Sequence, residues 1–143
     1  LLLAGTGARL RVLPAIFTLV REDWKLALQG MATLFFGSDA PPELVEEEKQ
    51  LMENVSAEVV LKDFTACDSF DITADLDSIS LPALIMCGKE DRLTPPKYSE
   101  FLHDKIDGSQ LVLIERCGHM PMLEKSQEFN DCVSSFVMSH QPF

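Results

Sequence analysis

The chain has 143 residues, 46% of them hydrophobic, which suits one ordinary domain with a core of normal density and excludes a disordered segment. Twelve Lys and Arg against 23 Asp and Glu give a net charge of -11, a balance that repels phosphate backbones and excludes nucleic acid as a partner. No apolar run reaches the roughly 18 residues that a membrane span requires, because Arg9, Arg11, Arg21 and Asp23 interrupt the most hydrophobic region.

Leu1 to Ala4 is a short apolar run stopped by Gly5-Thr6-Gly7, the pattern of a buried parallel strand entering a loop. No basic stretch precedes it, and Thr6 stands where a lipoprotein signal needs cysteine, so it reads as the end of a strand rather than a secretion leader. The glycine pair does not extend to a dinucleotide fingerprint, whose third glycine would fall at Leu10. From Pro14 to Phe36, apolar residues recur at Phe17, Val20, Trp24, Leu28, Met31 and Phe35 in steps of three or four, one helical face, with Gly30 as the expected break between two helices. Such a stripe serves plain helix packing more often than it lines an acyl pocket. Ser38-Asp39-Ala40-Pro41-Pro42 is a turn and helix start, and Glu46-Glu47-Glu48 lies within the helix that follows as a solvated face. Ser56 is placed to cap another helix running to about Phe64.

After Phe70-Asp71-Ile72 and a Ser/Asp-rich linker, Ala83-Leu84-Ile85-Met86-Cys87 is a continuous apolar run ended by Gly88, as expected of a strand buried on both faces. Pro82 sits at its start, where proline is tolerated. Pro95-Pro96 opens a helix to about Ile106, Gly108 ends it, and Leu111-Val112-Leu113-Ile114 is a second apolar strand. A last helix from about Ser126 to Met138 is expected to place Phe129, Val133, Phe136 and Val137 on one face. Strand, helix, strand, helix is the pattern of an open α/β sheet, whose ligands gather beyond the carboxyl ends of the strands.

Each strand exit carries one titratable residue. The first reads Gly88-Lys89-Glu90-Asp91-Arg92-Leu93-Thr94-Pro95-Pro96, the second Glu115-Arg116-Cys117-Gly118-His119-Met120-Pro121-Met122-Leu123-Glu124. Neighbouring parallel strands would bring Asp91 and His119 together as an orienting carboxylate and a general base. Gly118 is expected to help the loop turn sharply. Arg9 and Arg11 are candidates for carboxylate binding or for ordinary surface pairing, and His103 and His140 read as surface residues. The four cysteines form no C-x-x-C pair and the histidines lack zinc-site spacing, which implies no metal and a reduced, cytoplasmic compartment.

The motifs G-x-x-D-x-x-T-P-P and G-H-M-x-x-L-E closely resemble the last two strand exits of the α/β-hydrolase fold family, and the opening residues resemble the end of that family's sixth strand. The resemblance implies an α/β fold class: the C-terminal part of an α/β-hydrolase parallel sheet with an inserted helical cap. Residues 1–13 would be the strand end and loop, 14–69 the cap, and 70–143 the core. It implies Asp91 as triad acid and His119 as base, in the family's order Ser, Asp, His. The nucleophile elbow G-x-S-x-G occurs nowhere in the sequence, so the expected serine would lie upstream of Leu1 and these residues alone are expected to be inactive. The implied activity is serine hydrolysis of a small ester or acyl substrate through an acyl-enzyme, with no cofactor. The scaffold also supports perhydrolysis, C-C hydrolysis, epoxide opening and dehalogenation. The rival expectation is a non-catalytic fragment that pairs with a separate N-terminal half of the fold or self-associates through an exposed sheet edge.

Overall fold

Apolar runs separated by helical stretches dictate parallel pairing, because a parallel neighbour can be reached only through a crossover. In the computed structural model, which describes residues 1–140, β1 (Leu2–Ala4), β2 (Leu84–Gly88) and β3 (Gln110–Ile114) form one parallel sheet in the order β1-β2-β3. Leu3 lies opposite Ile85, and Met86 opposite Val112. β2 is central and buried along its whole length, the physical reason its sequence shows no polar alternation. Its side chains nevertheless alternate between two cores. Ile85 joins Ala8, Leu76, Leu102 and Ile106 on one face, while Leu84 and Met86 join Phe136 on the other.

Between β1 and β2 run four helices, α1 (Pro14–Glu22), α2 (Trp24–Phe35), α3 (Pro42–Glu53) and α4 (Ala57–Ser69). The break expected at Gly30 falls instead at Asp23, whose carboxylate accepts from Leu26 N at 3.0 Å and caps α2. A capping carboxylate starts a helix, whereas one exposed helical glycine costs only about 1 kcal/mol and is absorbed. Ser56 caps α4 through Val59 N at 3.3 Å, and the helix continues past Phe64 to Ser69. Val20, Ala27, Met31 and Val60 form a third apolar cluster that joins α1, α2 and α4, and Phe17 meets Phe64 edge-on at 6.4 Å. Most of the apolar stripe is therefore spent on helix packing.

The Ser/Asp-rich linker is a 3-10 turn, Thr73–Ser78, pinned by the buried Leu76. Beside it Asp71 bridges antiparallel to Arg9, tying the exit of β1 to the approach to β2. Helix α5 (Pro96–Lys105) crosses from β2 to β3, and β3 is followed by a short α6 (Pro121–Glu124) and by α7 (Ser126–Ser139). On α7, Phe129, Val133 and Phe136 pack against the sheet, but Val137 is 47% exposed, because one residue past Phe136 is a rotation of about 100° away from the core. Residues 141–143, the end of the expected core segment 70–143, lie outside the described residues. Among the described residues, no helix is long and apolar enough to cross a membrane.

Candidate active site

Adjacent strands carry their exit loops side by side. Gly88 pairs with Ile114 in register, Lys89 N donates to Ile114 O at 2.8 Å, and Glu90 N donates to Cys117 O at 2.9 Å, so the two loops are stitched together before either reaches its titratable residue. A third segment, the connection after α2, joins them through main-chain atoms. A Cβ on Gly118 would sit 2.5 Å from Gly37 N, and one on Gly37 would sit 2.7 Å from Gly118 N. Glycine at 118 is thus required by close backbone approach; the turn itself is made by Arg116, at φ 48°.

Asp91 and His119 meet as the sequence predicts: His119 Nδ1 lies 2.8 Å from Asp91 Oδ2. Asp91 is 3% exposed, and its carboxylate is fully engaged. Oδ1 accepts from Leu93 N at 2.8 Å and Thr94 N at 2.9 Å, and Oδ2 accepts from Thr94 Oγ1 at 2.9 Å as well as from His119. Burial opposes its ionisation, but the His119 and Thr94 hydrogen bonds outweigh burial and hold the carboxyl below its ordinary value. An acceptor-only carboxylate requires the proton on His119 Nδ1, which leaves Nε2 with the lone pair. Among the described residues, Nε2 has no hydrogen-bond partner, and the imidazole keeps 23% exposure. This is the arrangement of a base that can take a proton, backed by a charge that stabilises the imidazolium formed.

The connection after α2 contributes directly. Phe35 stacks on the imidazole with centroids 6.1 Å apart, and its carbonyl accepts from His119 N at 2.7 Å. On the acid side, Glu90 accepts from Ser38 N and Oγ at 2.6 and 2.9 Å, and Arg92 donates to the carbonyls of Thr33 and Phe36. A cleft of about 580 Å³ opens there, walled by Phe36, Val45, Glu90 and Arg92.

Thr94, Glu124 and the Phe35 carbonyl take positions that the sequence reading did not assign. Thr94 lies three residues past Asp91, the spacing at which a hydroxyl or amide folds back onto an Asp side chain, and that spacing is the signal that could have found it. Glu124 closes the G-H-M-x-x-L-E motif, but its bonds, like those of the Phe35 carbonyl, run to main-chain partners that the sequence does not spell. The remaining candidates lie elsewhere. Arg9 pairs with Asp71 at 3.3 Å, and Arg11 donates to the Asp68 carbonyl. His103 bonds Ser109 Oγ at 2.9 Å, and His140 donates to the Phe136 carbonyl. The cysteines are free thiols, and burial pushes Cys87 up to about 11 and Cys117 up to about 12.

The sequence profile described as the alpha/beta hydrolase family matches residues 1–132. A pimeloyl-[acyl-carrier protein] methyl ester esterase of Neisseria meningitidis is 36% identical over 72 residues, 50% of this chain and 28% of that protein. A proline iminopeptidase of Thermoplasma volcanium is 30% identical over 109 residues, 73% of this chain and 37% of that protein. Among solved structures, a thermophilic esterase is 38% identical at a TM-score of 0.85, over 96% of this chain and 55% of that one. An esterase from Exiguobacterium antarcticum is 25% identical at a TM-score of 0.87, over 96% and 56% of the two chains. The chain thus spans about half the length of these solved structures, and the matches cover less than that of the two curated relatives.

Proposed function

Since this chain belongs to the alpha/beta hydrolase family, we propose that it supplies the acid and base of an ester-cleaving serine hydrolase, Asp91 orienting His119. The observation that carries the reading is the 2.8 Å bond from His119 Nδ1 to the buried, fully engaged Asp91 carboxylate at the exits of two adjacent parallel strands. The nucleophilic serine belongs to polypeptide outside these 143 residues. That assignment is supported by the absence of G-x-S-x-G from the sequence and by the 55% of the thermophilic esterase that the chain covers. In the reaction, His119 Nε2 takes the serine proton as the oxygen attacks the ester carbonyl, then returns it to the departing alkoxide. An acyl-enzyme remains, and water, activated by the same nitrogen, hydrolyses it. The esterases among the relatives support an ester as substrate. The segment 14–69 serves as the cap over the site, a role supported by Phe35 stacking on the imidazole.

Hydrolysis of p-nitrophenyl acetate tests the reading, using these residues within a polypeptide extended to the length of the relatives. The extended protein is expected to be active, its His119→Ala variant to lose at least about 10³-fold in kcat, and the 143-residue chain to be inactive. Activity that survives His119→Ala sinks the proposal. The second reading, a module that completes its sheet with a separate partner half, is favoured by the β1 edge, where Leu1 and Leu2 are 45% and 48% exposed.

A further inference from the structure

We propose that Glu124 is a positioning residue for the base, one carboxylate that fixes the main chain on both sides of His119 and anchors it to the segment after α2. The inference rests on the assignment of His119 as base. Glu124 Oε1 and Oε2 both accept from Gly118 N at 3.0 Å, Oε1 also accepts from Met120 N at 3.1 Å, and Oε2 also accepts from Gly37 N at 2.7 Å. The amide between Gly118 and Met120, that of His119 itself, donates to Phe35 O at 2.7 Å. Three consecutive N–H groups are therefore held, the outer two by Glu124 and the middle one by a carbonyl only two residues from Gly37. None of these bonds is a ladder or helix bond, so the main chain that carries the imidazole is held by this carboxylate and the Phe35 carbonyl rather than by secondary structure.

The chemistry of the acceptor matters. Every partner of Glu124 in this arrangement is a main-chain donor, which an ionised carboxylate satisfies with both oxygens through charge-assisted bonds. Glutamine has the same length and volume but offers one oxygen and an NH2. It can keep the bonds on one side only, and its NH2 then faces an amide N–H that it cannot accept. The loop must shift to relieve that opposition, and the 2.8 Å bond between His119 and Asp91 shifts with it. Displacements of about 1 Å at a reacting group cost up to about a hundredfold in rate.

The experiment compares the extended protein with its Glu124→Gln and His119→Ala variants in p-nitrophenyl acetate hydrolysis, alongside the proton NMR resonance of the His119 Nδ1–H. Glu124→Gln is expected to lower kcat by about ten- to a hundredfold with KM changed less than about twofold, and to shift or broaden the Nδ1–H resonance. A folded Glu124→Gln protein with kcat and resonance unchanged overturns the proposal. Amide exchange in the unaltered protein gives a test that needs no variant to fold: Gly37, Gly118 and Met120 should exchange slowly, and fast exchange of all three overturns it. If His119→Ala retains activity, the base assignment fails instead, an outcome distinct from both.

Discussion

The carboxylate of Asp91 receives hydrogen bonds from Leu93 N, Thr94 N, Thr94 Oγ1 and His119 Nδ1, with the Cys87 thiol a weaker donor at 3.9 Å, and this makes it a determinant of stability as well as of tautomer. Burial works against the charged form, but the donors prevail and hold the group below its ordinary value of 3.8. A depressed acid binds its proton more readily in the unfolded chain than in the folded one. Its contribution is therefore complete above 3.8 and lost as pH falls through the depressed value. Asp91→Asn removes the titration, so thermal melts recorded from pH 7 downward should show a flatter loss of stability below about pH 4 than the parent. The asparagine NH2 would also face the Nδ1–H of His119 and force the other tautomer, and kcat in the extended protein should fall by roughly 10³- to 10⁴-fold. A parent-like acid profile would refute the stabilising role. At this scale the sequence was informative where a residue sits in a strand-exit motif, as Asp91 and His119 do. Thr94 stands in the same motif, three residues past Asp91, but the placement of its hydroxyl against Asp91 Oδ2 and His119 Nδ1, 3.3 Å away, is visible only in three dimensions.

Helix α2 ends where both loops begin to matter. The segment that follows it is held by Glu90, Arg92, Glu124 and the His119 amide, and Asp39 adds ion pairs with Arg116 and Lys125, both at 3.2 Å. At its centre Gly37 faces main chain, Gly118 N and the Cys117 carbonyl carbon, at 2.7 and 2.8 Å from where a Cβ would be. Backbone cannot rotate out of the way as a side chain can. Gly37→Ala should therefore lower stability by about 1–3 kcal/mol, read as a fall in Tm, and a neutral substitution would mean that the segment yields freely. Strands and helices were legible because their periods are written in apolar spacing. Boundaries were less so: the α1–α2 break follows the capping side chain of Asp23, not the glycine, and the turn around Leu76 hides one buried leucine in a polar stretch. The meeting of Gly37 with Gly118 is a contact between main chains far apart in sequence, and no residue type spells it.

Among the described residues the sheet has three strands, and β1 carries its apolar residues at an edge, with Leu1, Leu3, Leu76 and Leu102 walling an apolar hollow of about 510 Å³. An unpaired edge with apolar flanks is a template for another strand. The 143-residue chain produced alone should self-associate at micromolar concentration in sedimentation, and a compact monomer with cooperative unfolding would contradict the proposal that it completes its sheet with further polypeptide. The clamp around the α2 connection carries a different consequence. Phe35 offers a carbonyl, which every residue type possesses, and Gly37 and Ser38 offer amides, which every residue type except proline possesses. On the proposed reading, side chains along the helices could change to suit new ligands without disturbing the backbone scaffold that aims His119, so what is bound and how the proton is moved would be set by separate parts of the chain.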